Sequence, residues 1–304
     1  MKNINLLLIT LVTIISTAVI QSCQTTNKGS SASKMLKFNF EKGKGYDYEL
    51  ITNMDQEIMG QATQMDISFY YSMDVSDDDG TFKTITTAID RFRMKMGVGG
   101  MNIDIDTDKP LPSFGKTEDG KDPMKILNSL FGAIKGQKFS MKVDAEGKVQ
   151  DLTGFENMAN TIVDSLAVDE EERQQMKAKF NQQFNAEKMK SQMGRMFYIF
   201  PNKEVKVGDS WQKNSAVSGD MAGNYTSTYK VTDIEGDMVT LAENTKIESN
   251  EEKMNLNGDI KGSIVVDSRL GLIVNADQDM TLKTEVEGKS LEIKMKTKIK
   301  GKAR

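Results

Sequence analysis

Met280-Thr281-Leu282-Lys283-Thr284-Glu285-Val286-Glu287-Gly288-Lys289-Ser290-Leu291-Glu292-Ile293-Lys294-Met295-Lys296-Thr297-Lys298-Ile299-Lys300 is the stretch on which the fold turns. Met280, Leu282, Thr284 and Val286 alternate with Thr281, Lys283, Glu285 and Glu287. Leu291, Ile293, Met295, Thr297 and Ile299 then alternate with Glu292, Lys294, Lys296, Lys298 and Lys300. A period of two is that of a strand with one buried face. Gly288 marks the turn. Two long strands, apolar on one face and charged on the other, predict an antiparallel sheet with one wet face. Register follows, because a slip of one residue would bury the lysines.

The same period recurs toward the N-terminus. Phe92, Met94, Met96 and Val98 alternate with polar or small neighbours, Gly99-Gly100 shifts the phase, and Met101, Ile103 and Ile105 resume it. A glycine pair at a phase change predicts a bulge or a tight turn. Asp77-Asp78-Asp79-Gly80 predicts a hairpin turn between Tyr70–Val75 and Phe82–Ile89. Further turns are expected at Glu146-Gly147, Glu235-Gly236, Asn257-Gly258 and Leu270-Gly271. Ser140–Asp144 echoes Ser263–Asp267, too briefly to establish a duplication.

Between these strand-rich parts the period changes. Asp122-Pro123 reads as a helix cap followed by proline at the first helical position, with Leu127, Leu130, Phe131 and Ile134 on one face. Phe155, Met158, Ala159, Ile162, Val163 and Leu166 form an amphipathic helical stripe. Asp169 and Glu172 form a capping box for a further helix. Its stripe of Met176, Phe180 and Phe184 slips before Met189, Met193 and Phe197, which predicts a break near Asn185.

Composition narrows the chemistry. The chain has 304 residues, is 38% hydrophobic and 28% charged, and carries a net charge of −4. That balance argues against a nucleic-acid partner, which would want a basic surface. There is no histidine, so Ser-His-Asp and Cys-His catalysis and the commonest zinc ligand are absent. The single cysteine, Cys23, follows Met1-Lys2-Asn3 and an apolar run from Leu6 to Ile20. This is the pattern of a lipoprotein signal peptide, with an apolar run short of the ~20 residues that span a bilayer. Cys23 is the expected lipidation site, and more than one acyl chain would give stable anchoring. Residues 24–34 are rich in Ser, Thr, Gly and Asn and contain no acid, which predicts a flexible tether.

Three groups of residues invite functional readings. Met54, Met59, Met65, Met73, Met94, Met96, Met101 and Met295 lie in strand-like segments. Flexible, polarisable thioethers suit a surface that accepts varied apolar shapes, and equally suit a core. Lys294, Lys296, Lys298, Lys300 and Lys302 share one strand face. They would meet anionic headgroups, or form a solvated face that pairs with Glu285 and Glu287 and guards an edge strand. The acidic runs Asp74–Asp79 and Asn102–Asp108 have calcium-like spacings without the distal glutamate of an EF-hand.

Phe200-Pro201-Asn202-Lys203-Glu204-Val205-Lys206-Val207-Gly208-Asp209-Ser210-Trp211 contains the only tryptophan, entered through a Gly-Asp turn. With the leader, the Leu36–Tyr46 segment and Met-Asp-Gln-Glu at 54–57, it resembles a family of uncharacterised Gram-negative envelope lipoproteins. The resemblance covers most of the chain after the leader, and Val205–Trp211 is its most specific element. It implies an envelope location and a long-stranded fold, and it lends no catalytic residues.

These readings predict an α+β fold: a large curved antiparallel sheet, unclosed and barrel-like, with a helical segment packed on its concave face. In outline that resembles the periplasmic lipoprotein carriers. The expected organisation is a signal peptide over 1–22, a tether over 23–34, and one β-rich domain over 35–304 with a helical insert at about 122–197. The expected function is non-enzymatic and needs no cofactor or metal. It is that of a lipoprotein held to the membrane by lipid on Cys23, at the outer membrane facing the periplasm, binding a hydrophobic or envelope-derived ligand. Met94, Met96, Met101, Phe131 and Ile162 are the expected cavity lining. The alternative is a structural lipoprotein that docks another envelope protein.

Overall fold

The computed structural model describes residues 33–58, 61–98, 101–110, 131–164, 170–183, 186–218, 222–249, 256–286 and 289–304, all within the unit Ser33–Arg304. Cys23 and its leader, Asp122–Leu130, Asp169, Asn185 and Gly288 lie outside them.

The fold is mainly β. In chain order its strands are β1 (Lys34–Leu36), β2 (Gly45–Ile58), β3 (Gln61–Asp78), β4 (Phe82–Val98), β5 (Met101–Asp106), β6 (Lys138–Asp144) and β7 (Val149–Thr153). Helices α1 (Phe155–Asp164), α2 (Glu170–Gln183) and α3 (Ala186–Phe197) follow. Then come β8 (Lys203–Val205), β9 (Ser210–Val217), β10 (Gly223–Glu235), β11 (Met238–Glu248), β12 (Asn257–Asp267), β13 (Leu272–Val286) and β14 (Lys289–Ala303). Twelve strands form one sheet in the order β7-β6-β4-β3-β2-β14-β13-β12-β11-β10-β9, with β5 also on β4. All described pairings are antiparallel. β3 has 18 residues, a span of about 60 Å. β4 is long enough to serve two partners: Phe82–Ala88 pairs with β6 and Arg93–Val98 with β5.

Local chemistry sets the turns. Asp79 Oδ1 accepts hydrogen bonds from the N–H groups of Thr81 and Phe82, closing the β3–β4 hairpin beside Gly80. Gly80 has φ +87°, a conformation that costs glycine least. Two expectations are corrected here. Asn257-Gly258 opens β12 rather than making a turn. β14 is no edge strand but lies between β13 and β2. Its lysines therefore find acids on both sides: Lys296 and Lys298 meet Asp279 and Asp277, while Lys300 and Lys302 meet Glu49 and Asp47. Glu285 is not among the partners, and Glu287 lies outside the described residues.

The sheet wraps until the strands at the two ends of its main order, β7 and β9, lie against α3. The seam is held by directional contacts. Trp211 Nε1–H donates to the Ile199 carbonyl at 2.7 Å. The Lys213 ammonium sits 4.1 Å from the Tyr198 ring centre, and the Ser218 N–H donates to Ser191 Oγ. On the other side Gly147 passes so close that a Cβ would fall 2.1 Å from the Phe197 carbonyl oxygen.

One end of the concave face is filled. β1 pairs with β8, and from the last residue of β1 onward the chain buries Leu36, Phe38 and Phe40 in turn. Phe40 stacks on Tyr46 at 3.8 Å, and Phe38 and Phe40 both pack on Phe197. The main core grows from this aromatic group through Met73, Ile85, Met141, Ile162 and Phe200.

Candidate functional site

The other end of the concave face carries the candidate site. Strand register sets its inner side chains in rows. Met280 on β13 pairs with Met295 on β14, Met295 with Met54 on β2, Met54 with Met65 on β3, and Met65 with Met96 on β4. Five methionines thus stand side by side across five adjacent strands. Ile260 on β12 and Ile103 on β5 bound the row. Met295 is 8% exposed, while Met54, Met65, Met96 and Met280 are only half-buried. Inner-face neighbours Leu50, Ile67, Phe69, Met94 and Ile293 are also half-buried. Here the sheet has an apolar inner face that the described residues do not fill.

The row beside it turns polar. Tyr229, Glu243, Gly262, Gln278, Thr297 and Thr52 follow one another across β10, β11, β12, β13, β14 and β2. Glu243 is 4% exposed. Gln278 Nε2 donates to Glu243 Oε2 at 2.5 Å across the intervening strand β12. The crossing is open because residue 262 is glycine: a Cβ there would lie 2.9 Å from Gln278 Cγ. Thr245 Oγ1 lies 2.9 Å from Glu243 Oε1 and 2.7 Å from Ser227 Oγ. An ionised carboxylate only accepts and a hydroxyl has one hydrogen. Thr245 therefore donates to Glu243, and Ser227 donates to Thr245.

α3 brings a cation to this cluster. The Arg195 guanidinium lies 4.2 Å from the centre of the Tyr225 ring. Burial pushes the Tyr229 phenol well above its usual range; the Glu243 charge adds to the rise and Arg195 opposes it. Among the described residues neither Glu243 nor Arg195 has an ion-pair partner within 4 Å. A shallow groove of about 450 Å³ lies on the outer face of β9 and β10, lined by Gln212, Asn214, Ala216, Asn224 and Thr226, on the opposite side of the sheet from the Tyr225 ring.

The expected cavity residues fall in different places. Met94 and Phe131 belong to one cluster with Phe92 and Ile105, and Phe131 stacks on Phe92 at 4.8 Å. Met96 is in the methionine row. Met101 pairs with Val98 at the end of β5, and its side chain lies outside the described residues. Ile162 is 1% exposed in the main core, with no place in the row. Sequence reasoning missed Glu243, Gln278 and Arg195. The signal for Glu243 was present: Val239, Leu241, Glu243, Thr245 and Ile247 alternate, and that phase points inward.

The acidic runs serve as caps and ion pairs. Asp106, 4% exposed, takes a two-pronged contact from Arg91, at 2.9 Å from Nε and 2.6 Å from a terminal nitrogen. That contact holds its carboxyl at about 2. Lys135 meets Asp108, Lys42 meets Asp77 and Lys83 meets Asp78. Among the described residues no three His, Cys, Asp or Glu side chains converge as a metal site.

The model of a family of unknown function, DUF6263, matches residues 80–273. No curated protein matches the chain. Among solved structures, one described as lipid-protein interactions in lipovitellin is similar at 10% identity and a TM-score of 0.45. The match covers 87% of this chain and 25% of the lipovitellin chain. A likeness at that level carries no argument about the ligand.

Proposed function

The chain belongs to the DUF6263 family, whose function is unknown, and on that premise we propose a lipid-anchored envelope lipoprotein that binds a hydrophobic ligand. It is a binding protein rather than an enzyme. It is anchored through Cys23 to the outer membrane, on the periplasmic side. The observation that carries the ligand reading is the half-buried methionine row on the concave face. An apolar surface of adaptable, part-exposed thioethers suits an acyl chain or another greasy group. The docking alternative would draw on a large exposed apolar patch. Among the described residues the exposed large apolar side chains are Met35 and Val207.

Two measurements test the reading. The full chain, extracted in a mild detergent and examined by native mass spectrometry, should carry a stoichiometric lipid. Met54→Glu with Met65→Glu should abolish that mass and the uptake of a fluorescent fatty acid. Ligand binding unchanged in that double variant would refute the assignment to the row. For the anchor, Cys23→Ala should abolish palmitate labelling and release the chain from membranes. Retained labelling would refute the lipidation site.

A further inference from the structure

The hydrophobic reading leaves the buried polar cluster beside the methionines without a role. Gln278 and Met280 lie two residues apart on the inner face of β13, and Thr297 and Met295 do the same on β14. An apolar chain laid along the methionine row thus has one flank against Glu243, Gln278, Thr245 and Ser227. Glu243 accepts two hydrogen bonds, one at each oxygen. A carboxylate has about four acceptor sites, so it has capacity left. A buried carboxylate is costly unless it is paired, and no cation within 4 Å supplies that charge among the described residues. Arg195 enters from α3 over Tyr225, on the strand that also supplies Tyr229 and Ser227. Its planar fork is suited to a phosphate. Two opposite charges thus flank one polar cluster without pairing with each other.

We propose that this juxtaposition, Glu243 within its hydrogen-bond network and Arg195 over Tyr225, receives a zwitterionic head bearing a phosphate and a primary ammonium. The ammonium donates to the Glu243 carboxylate. The phosphate oxygens accept from Arg195. The acyl chains lie along Met280, Met295, Met54, Met65 and Met96. This assignment rests on the hydrophobic-ligand reading and narrows it to one class of amphiphile.

The test uses the full chain in non-ionic detergent and three short-chain probes followed by native mass spectrometry: a phosphatidylethanolamine, a phosphatidylglycerol and a diacylglycerol. The ethanolamine lipid should bind about tenfold more tightly than either other probe, the scale of one charge-assisted contact. Glu243→Gln should erase the preference over phosphatidylglycerol, Arg195→Gln should weaken both phospholipids relative to diacylglycerol, and each should leave the diacylglycerol affinity unchanged. Arg195 is half-exposed, so its variant serves if Glu243→Gln lowers the melting midpoint. Equal binding of the three probes, or a preference that survives both substitutions, overturns the head-group assignment and leaves the hydrophobic reading standing. If no probe binds, diacylglycerol included, the underlying reading fails as well.

Discussion

At one end of the long strands the concave face carries Phe40, Tyr46, Met73, Ile85 and Met141, none more than 1% exposed. Eight residues along β2 from Tyr46, about 27 Å at strand rise, it carries Met54, with Met65 and Met96 beside it, all half-buried. The strands are the same and so is the alternation. What differs is the material laid across them. The segment after β1 and the end of α3 bring Phe38, Phe40, Phe197 and Phe200 over the first end. Among the described residues nothing equivalent covers the methionine end. A period of two thus marks which side chains face inward, and a separate piece of chain decides whether that inward face becomes core or surface.

The largest expected effect breaks the filled end. Phe40→Ala should cost about 3–5 kcal/mol, the range for a fully buried aromatic, read from denaturant midpoints. Met65→Ala at the open end should cost less, roughly 1–2 kcal/mol, because a half-buried side chain has only part of its transfer free energy to lose and leaves a smaller cavity. Equal losses at the two positions would erase the contrast.

Asp106, under the open half, gives an intermediate effect. Its carboxyl is held down at about 2 by Arg91. A depressed carboxylate contributes stability that is fully present above its ordinary value near 3.8 and is lost as pH falls toward 2. Asp106→Asn should lower stability by on the order of 1–2 kcal/mol at neutral pH. The variant should also flatten the acid limb of the stability profile between about pH 4 and pH 2. An unchanged acid limb would remove Asp106 from that role. The smallest effect belongs to the outer face: Lys296→Ile should shift stability by no more than about 0.5 kcal/mol, since exposed ion pairs contribute little.

Much of this architecture is legible in the chain. The alternation from Met280 to Ile299 places Leu282, Met295 and Ile299 on the inner face and the lysines outside. What pattern cannot carry is partnership between distant segments. The lysine row reads equally well beside one acidic neighbour or two, and only the position of β14 inside the sheet decides between them. Ile162 and Met94 are both apolar at the right phase, yet one joins the main core and the other the second cluster, because α1 packs on β6 while β4 extends beyond it. Gly262 gives no local sign that its missing side chain lets Gln278 reach Glu243.

The position of α3 has a consequence for the molecule's solubility. β7 and β9 end the main order of the sheet, and each would otherwise offer a row of unpaired N–H and C=O groups to another chain. Because α3 lies against both, one helix guards two edges at once. Were it to lift, the exposed strands would be different strands at opposite ends of one sheet. β7 of one molecule could then add to β9 of the next, a head-to-tail contact that does not close on itself. The product would be an open-ended fibre rather than a dimer, and Trp211, Lys213 and Ser218 are the residues that keep the seam shut against it.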